Sequence, residues 1–345
     1  MKIVDPLLKI IIEDSRKVLD KSSTASLKNK SILITGASGL IGTYLLACLF
    51  HGANSKKNKF KVNILIHSDL PEFMTPLIKF LNCNIFQGDI TDNDFVKSLP
   101  KVDYIIHAAG YGQPGKFMAD PIKTLKINTV ATFELFKHLK KNGSFLFLST
   151  SEVYSGLIKP PFNESQMGNT NTTHPRASYI EGKCIGETIC NEYRKLGVDA
   201  KSARVSLVYG PGTKRQDARV LNNFIEKALI KGEIELLDRG EAKRTYCYIS
   251  DAAEMFWKIL FFGKEPLYNV GGTFRVTIAE LAQLIAKQTG VPVKFPKVSR
   301  GLRSAPDDVY LDLTKIKKEF KKVNFTPLDK GLKTTIEWQK KLYEQ

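Results

Sequence analysis

The chain has 345 residues, 43% hydrophobic and 25% charged, with 52 basic against 35 acidic side chains for a net charge of +17. That length exceeds the usual single domain and supports a sizeable core, and the ordinary composition excludes disordered and fibrous classes. So strong a positive balance attracts nucleic acid, anionic membrane or phosphorylated small molecules, but its densest runs, Lys56 to Lys61 and Lys315 to Lys322, lack interleaved aromatics and read as solvated faces rather than a nucleic-acid platform.

At the N-terminus Val4, Leu7, Leu8, Ile11 and Ile12 recur at helical spacing, interrupted by Asp5, Glu13 and Asp14. A signal peptide or membrane span would not carry those acids, so residues 1–20 are expected to form an amphipathic helix that docks on the body of the protein or on a second subunit. A Ser/Thr linker is expected over Ser22 to Ser26. Next comes the apolar run Ser31 to Thr35, which breaks at Gly36, Gly39 and Gly42 and resumes as a helix pattern. Strand, turn and helix of this kind cradle a dinucleotide pyrophosphate, because glycine lets phosphate approach backbone N–H groups at a helix N-terminus.

Short apolar runs follow at Val62 to His67, Asn84 to Asp89, Tyr104 to Ala109 and Ser144 to Ser149, separated by helix-compatible segments. The alternation predicts an α/β fold, a Rossmann-like doubly wound parallel sheet whose ligands gather at the C-terminal strand ends. Asp89 suits adenine recognition. The His107-Ala108-Ala109-Gly110 stretch offers small residues on the nicotinamide side, and Asn128, in a helix beginning near Pro121, is expected to bond backbone at the next strand. An NAD site expects an acid after the second strand, where this chain has His67, Ser68 and Asp69. Asp69 can serve slightly out of register, or His67 and Ser68 can tolerate a 2′-phosphate; NAD is favoured.

Chemistry is expected from Ser149-Thr150-Ser151-Glu152-Val153-Tyr154 and from Tyr179 with Lys183, which share a helix face four residues apart. A Lys ammonium beside a phenol stabilises the phenolate and pulls its pKa from roughly 10 toward neutrality, making Tyr179 a general base. Thr150 can bond the same substrate hydroxyl. The five cysteines are widely spaced and mostly in apolar patterns, with no CxxC pair and no His cluster. Free thiols in a reducing, cytoplasmic setting and no metal site are expected. Beyond Gly272 a helix over Thr277 to Gln288 is expected to start on a capping box formed by Thr277 and Glu280, and a last amphipathic helix ending in Trp338 to pack on a smaller lobe.

With these motifs in place, the chain resembles the extended short-chain dehydrogenase/reductases that modify nucleotide sugars, from about Ser31 to Trp338. The resemblance is carried by Ile32 to Gly42, Asp120 to Thr129, Ser149 to Tyr154, Pro175 to Lys183 and Arg219 to Phe224, and it is nearest to the uronate decarboxylases. It implies an N-terminal helix and linker over 1–30, an NAD-binding domain over 31–205 and an intertwined nucleotide-sugar lobe over 206–345. It further implies cofactor contacts from Gly36, Ser38, Gly39, Leu40, Ile41, Gly42, His67, Ser68, Asp69, Asp89, Ile90, Ala108, Ala109, Gly110, Asn128, Tyr179 and Lys183. Substrate contacts would come from Gln113, Arg219, Arg244 and Arg303, and a homodimer would form through helices flanking the active site, without nucleic-acid or membrane partners.

The implied chemistry passes through a transient 4-keto sugar, with Tyr179 as base. Dehydratases of the family carry Asp where this chain has Ser151, and Ser is a poor acid for a departing hydroxyl, whereas decarboxylation needs none. A UDP-glucuronate decarboxylase-like reaction is therefore favoured, with Glu152 handling the carbon-5 proton; 4,6-dehydration, 4-epimerisation and a catalytically silent dinucleotide-binding protein are the alternatives. Leu207 stands where relatives usually place an Asn that helps bind the sugar nucleotide.

Overall fold

The computed structural model describes residues 5–53, 59–296 and 308–344, so Val4, Lys56, Lys57 and Arg303 lie outside the described residues. The chain opens with helices α1 (Pro6–Asp14) and α2 (Lys21–Ser26) and enters a sheet at β1 (Ser31–Thr35). It continues through α3 (Leu40–Ala53), β2 (Lys61–Ile66), α4 (Thr75–Leu81), β3 (Asn84–Gln87), α5 (Asn93–Lys97) and β4 (Val102–His107). Three short helices, α6 (Pro114–Ala119), α7 (Pro121–Asn128) and α8 (Val130–Phe136), lead to β5 (Leu139–Thr150), α9 (Ala177–Lys195) and β6 (Asp199–Val205).

The second half holds β7 (Leu207–Tyr209), α10 (Val220–Lys231), β8 (Ile234–Glu235), β9 (Lys243–Tyr248), α11 (Ile249–Phe262), β10 (Leu267–Val270) and β11 (Phe274–Thr277). Last come α12 (Ile278–Thr289), β12 (Val293–Lys294), β13 (Asp308–Val309), α13 (Thr314–Phe320) and α14 (Leu328–Glu344). Seven strands form one sheet in the order β10-β6-β5-β4-β1-β2-β3, every neighbouring pair parallel. The strand order reverses between β1 and β4, which opens a crevice at their carboxyl ends. A parallel sheet must be covered on both faces, and the buried runs of β1 and β2 meet that demand with almost continuous apolar residues. β7, β9, β11 and β13 form a smaller mixed sheet beside it, with a separate core under α10 and α12.

The N-terminal helix docks on the body, where Leu7, Leu8, Ile11 and Ile12 are buried and α1 packs on α3 and α14. It ends at Asp14 rather than near Asp20. Asp14 accepts a hydrogen bond from the Tyr44 hydroxyl at 2.6 Å, and burial raises its pKa. The expected Ser22 to Ser26 linker is instead helix α2. Its start is capped by the Asp20 carboxylate, which accepts from Ser23 N at 2.8 Å, a signal outweighing the loop preference of serine. The capping box at Thr277 and Glu280 is present. Helix α14 does not pack on the small lobe alone: Leu328, Leu332 and Ile336 belong to the small core, whereas Trp338 enters the large one, edge-on to Phe73.

Candidate active site

The glycine turn is held by its own packing. Gly36 has φ +70, and a β-carbon there would stand 2.7 Å from the Ala108 carbonyl oxygen; one on Gly42 would stand 2.5 Å from Ala37 Cα. Neither contact is tolerable, so only glycine lets the turn lie this close to the end of β4 and α3 this close to the turn. Leu40 and Ile41 follow as the first turn of α3, and Gly39, exposed, leaves open backbone at the mouth of the groove.

Below this turn runs a chain of hydrogen bonds that fixes the strand ends. The Ala109 N–H donates to Thr35 Oγ1 at 3.0 Å, Thr35 Oγ1 meets His107 Nδ1 at 2.9 Å, and His107 Nε2 meets the Ile127 carbonyl at 3.0 Å. A carbonyl only accepts, so Nε2 carries the proton and Nδ1 accepts from the hydroxyl. Burial, aided by the Lys183 charge, pushes His107 down to about 3, so it stays neutral. His107 is thus a structural tie between β1, β4 and α7.

Helix α9 reaches the groove because Gly182 and Gly186 face its neighbours; a β-carbon on Gly186 would come within 2.3 Å of the Phe147 ring. That approach buries Lys183, whose Nζ donates to the Leu148 carbonyl at 2.6 Å and sits 4.7 Å above the Phe147 ring. Burial lowers its pKa to about 7, partly offset by Glu187. Tyr179, one turn earlier, stacks on Phe117 with rings 4.4 Å apart and nearly parallel. Its phenol is pushed up to about 12, by burial first and then by the Glu152 charge, against a favourable hydrogen bond from Thr150. The expectation that Lys183 draws Tyr179 toward neutrality is therefore corrected. In this arrangement the amine is spent on Leu148 and Phe147, and burial penalises each separate charge.

Thr150 ends β5 and its side chain caps a 3₁₀ turn over Ser151–Tyr154, accepting from Glu152 N. Ser151 is buried there, and Glu152 accepts a 2.8 Å ion pair from Arg176, whose guanidinium also lies over Phe117. The other Glu152 oxygen is buried without a partner. Arg176 and Phe117 were missed from sequence, although Arg176 lies within the quoted Pro175 to Lys183 stretch. A second buried pair underlies the site. Arg204 grips Glu187 through Nη2 at 2.8 Å, and Glu187 accepts from Ser149 at 2.5 Å.

Other expected residues separate into those at the groove and those engaged elsewhere. A β-carbon on Gly110 would lie 3.8 Å from Lys183 Nζ and 4.0 Å from Asn128 Oδ1, so the three line one wall. Asn128 does not bond the next strand as expected; its amide donates to Thr124 within its own helix at 2.8 Å, and its Oδ1 is a buried acceptor without a partner. Asp89, followed by buried Ile90, accepts from Lys123 and Thr91; burial opposes its ionisation but these donors prevail and hold it at about 2. Asp69 is turned to Gln87, whose amide donates to it at 2.9 Å. Ser38 and Ser68 approach to 3.4 Å, and Lys214, not foreseen, stands 3.4 Å from Ser68. Gln113 stands at the N-cap position of α6 without a side-chain capping bond, Arg219 forks onto Asp217, and Arg244 lies on β9 with its guanidinium on the Lys243 carbonyl. Leu207 is partly exposed on β7.

The geometry, a glycine cradle that a β-carbon would fill and an orphaned Asn128 oxygen facing the lysine, fits a dinucleotide. The family model described as the NAD dependent epimerase/dehydratase family matches residues 32–271. The chain belongs to that family. It is an NAD-using enzyme. UDP-glucuronic acid decarboxylase 6 of Arabidopsis thaliana is 30% identical over 81% of this chain and 79% of its own length. UDP-glucuronic acid decarboxylase 1 of Xenopus tropicalis is 31% identical over 91% of this chain and 73% of its own. The crystal structure of UDP-glucose 4-epimerase from Thermotoga maritima with UDP-glucose superposes with a TM-score of 0.77 at 24% identity, covering 91% of this chain and 99% of that one, which establishes the shared fold. Among the described residues no cluster of His, Cys, Asp or Glu could hold a metal ion. No described helix is long and apolar enough to cross a membrane, and all five cysteines are free.

Proposed function

We propose that the chain is a UDP-glucuronate decarboxylase working through a transient 4-keto sugar. The observation that carries this reading is the strand-end turn: Thr150 and Glu152 act on the Tyr179 phenol, and the residue between them, buried Ser151, is not an acid. Tyr179 takes the proton of the sugar 4-hydroxyl while Thr150 holds that oxygen, and the Phe117 stack fixes the ring. Lys183, Asn128 and the glycine turn would hold NAD, which would supply hydride acceptance at carbon 4 and, after carbon dioxide has left, the hydride that reduces the ketone to the UDP-pentose. The 4-ketone is then β to the uronate carboxylate, so the bond between carbons 5 and 6 breaks with its electron pair delocalised into the ketone and carbon dioxide leaves. Glu152, fixed by Arg176 with one oxygen free, manages the proton returned to carbon 5. Dehydration would instead need an acid for the leaving hydroxyl, which Ser151 does not supply. Arg219 and Arg244 hold the nucleotide pyrophosphate, Arg219 trading part of its fork on Asp217, and Gln113 lines the sugar side.

The working unit is a homodimer paired through α7, α8 and α9, where Ile122, Val130, Phe133 and Ile185 are exposed apolar side chains. The free thiols suit the cytoplasm, and carbohydrate-polymer precursor synthesis is the setting. Mass spectrometry of protein incubated with UDP-glucuronate and NAD tests the reaction. Loss of the carboxyl group with formation of a UDP-pentose is expected; unchanged UDP-glucuronate, with turnover of uncharged nucleotide hexoses, would refute it.

A further inference from the structure

At the end of β2, where an acid would read two free ribose hydroxyls, the first residues are His67 and Ser68, and the acid comes only at Asp69. His67, Ser68 and Asp69 are exposed there. Asp69, the one carboxylate in this trio, has its Oδ1 engaged by the Gln87 amide at 2.9 Å. Facing them, Ser38 of the glycine turn lies 3.4 Å from Ser68, and Lys214 Nζ lies 3.4 Å from the same Ser68 hydroxyl.

Lys214 is delivered by a built turn. Gly212, with φ +97, rests against Leu40 at the start of α3 and Ile11 of α1, and the Thr213 hydroxyl donates to the Gly210 carbonyl at 3.0 Å. Three chain segments thus converge two hydroxyls and an ammonium on one point. The surrounding charges are Lys116, which repels Lys214, and Asp69, which attracts it; burial and Lys116 together depress the Lys214 pKa, so this ammonium gains from an added anion. A 2′-hydroxyl needs a carboxylate acceptor, whereas a 2′-phosphate needs donors and positive charge. The second set is present.

We propose that this end of the groove takes a 2′-phosphate, so that the chain binds NADP as well as NAD. The inference rests on the dinucleotide lying in the glycine-turn groove, and not on the identity of the sugar substrate. Lys214 supplies the charge, Ser38 and Ser68 donate hydroxyls, and His67 adds a ring N–H at the rim.

Calorimetric titration of protein freed of bound nucleotide, with NAD, NADP, 5′-AMP and adenosine 2′,5′-bisphosphate as probes, tests it. NADP is expected to bind within about tenfold of NAD, and the bisphosphate about fivefold or more tighter than 5′-AMP. Lys214→Gln should weaken NADP by about tenfold, the usual worth of one charge-assisted contact, while NAD changes less than about threefold. His67→Asp, restoring an acid at the strand end, should turn the preference toward NAD. The proposal is overturned if NADP binds more than about a hundredfold weaker than NAD, or if Lys214→Gln weakens both equally, since the ammonium would then serve the shared pyrophosphate. Binding of neither dinucleotide would overturn the groove assignment along with it. Intact binding of both without decarboxylation would sink only the substrate reading.

Discussion

Lys183 carries a cost that depends on pH, and replacing it with methionine should reveal that cost. Its Nζ is buried against Leu148 and Phe147, and burial brings its pKa from the ordinary 10.5 to about 7. Below pH 7 the ammonium is charged in both the folded and the unfolded chain, and burying it costs about 5 kcal/mol. Between pH 7 and 10.5 the unfolded chain binds the extra proton, so stability rises with pH; above that range both states are neutral and the cost is gone. Lys183→Met keeps the length, removes the charge and leaves the Leu148 carbonyl without its donor, a pH-independent loss of about 1–2 kcal/mol. The variant should therefore be more stable than the parent by about 3–4 kcal/mol at pH 6–7, or about 4–6 °C in Tm for a chain of this size, and less stable above pH 10.5. Scanning calorimetry of both nucleotide-free proteins across that range is the assay. A difference that keeps one sign and size at every pH would refute the buried ammonium.

Tyr179→Phe keeps the Phe117 stack but loses the phenol, so it should retain dinucleotide binding while turnover falls by about 10³-fold or more; preserved turnover would remove its role as base. Gly42→Ala forces a β-carbon to within 2.5 Å of Ala37 Cα, and calorimetry should show a loss of about 1–3 kcal/mol in stability together with weakened NAD binding. Glu187→Gln leaves the Arg204 guanidinium buried without its counter-charge and should cost about 3–5 kcal/mol, read as a fall in Tm with the fold retained by circular dichroism. Phe133→Glu places a charge on the exposed α8 face and should convert the proposed dimer to monomer in sedimentation velocity at micromolar concentration, where the parent is expected to sediment as a dimer.

The doubly wound sheet was legible because its signal is periodic and local. Runs such as Ser31 to Thr35 and Val62 to His67 are apolar on both faces, as a covered parallel strand requires. The glycine turn and the Tyr179 and Lys183 pair were legible for the same reason, each being a short spacing on one element. What could not be read depends on contacts between distant segments. Nothing near Ser22 to Ser26 announces that Asp20 will cap them into a helix, and nothing in the Thr150 to Glu152 stretch names Arg176 as the partner of Glu152. Lys214 lies 146 residues from Ser68, so its place beside that hydroxyl emerges only when the Gly212 turn settles on α3. The lowered phenol pKa expected of Tyr179 failed because motif spacing says which groups are neighbours but not how deeply both are buried.

The last strand of the large sheet, β10, also sets a timetable for synthesis. β6 pairs with β5 on one side, while its other edge waits for Leu267–Val270, which pair with Ser202 to Val205. During translation at roughly 5–20 residues per second, that edge stays unpaired for about 3–13 s after β6 is made. Exposed parallel edges recruit other strands, so this interval is when nascent chains of the protein are open to wrong pairing and most dependent on chaperones. The first part of the small lobe, β7 to β9, made in the same interval, is therefore a delay built into the sheet's completion, and lengthening its loops would be read out as aggregation of newly made protein rather than as a lower melting temperature.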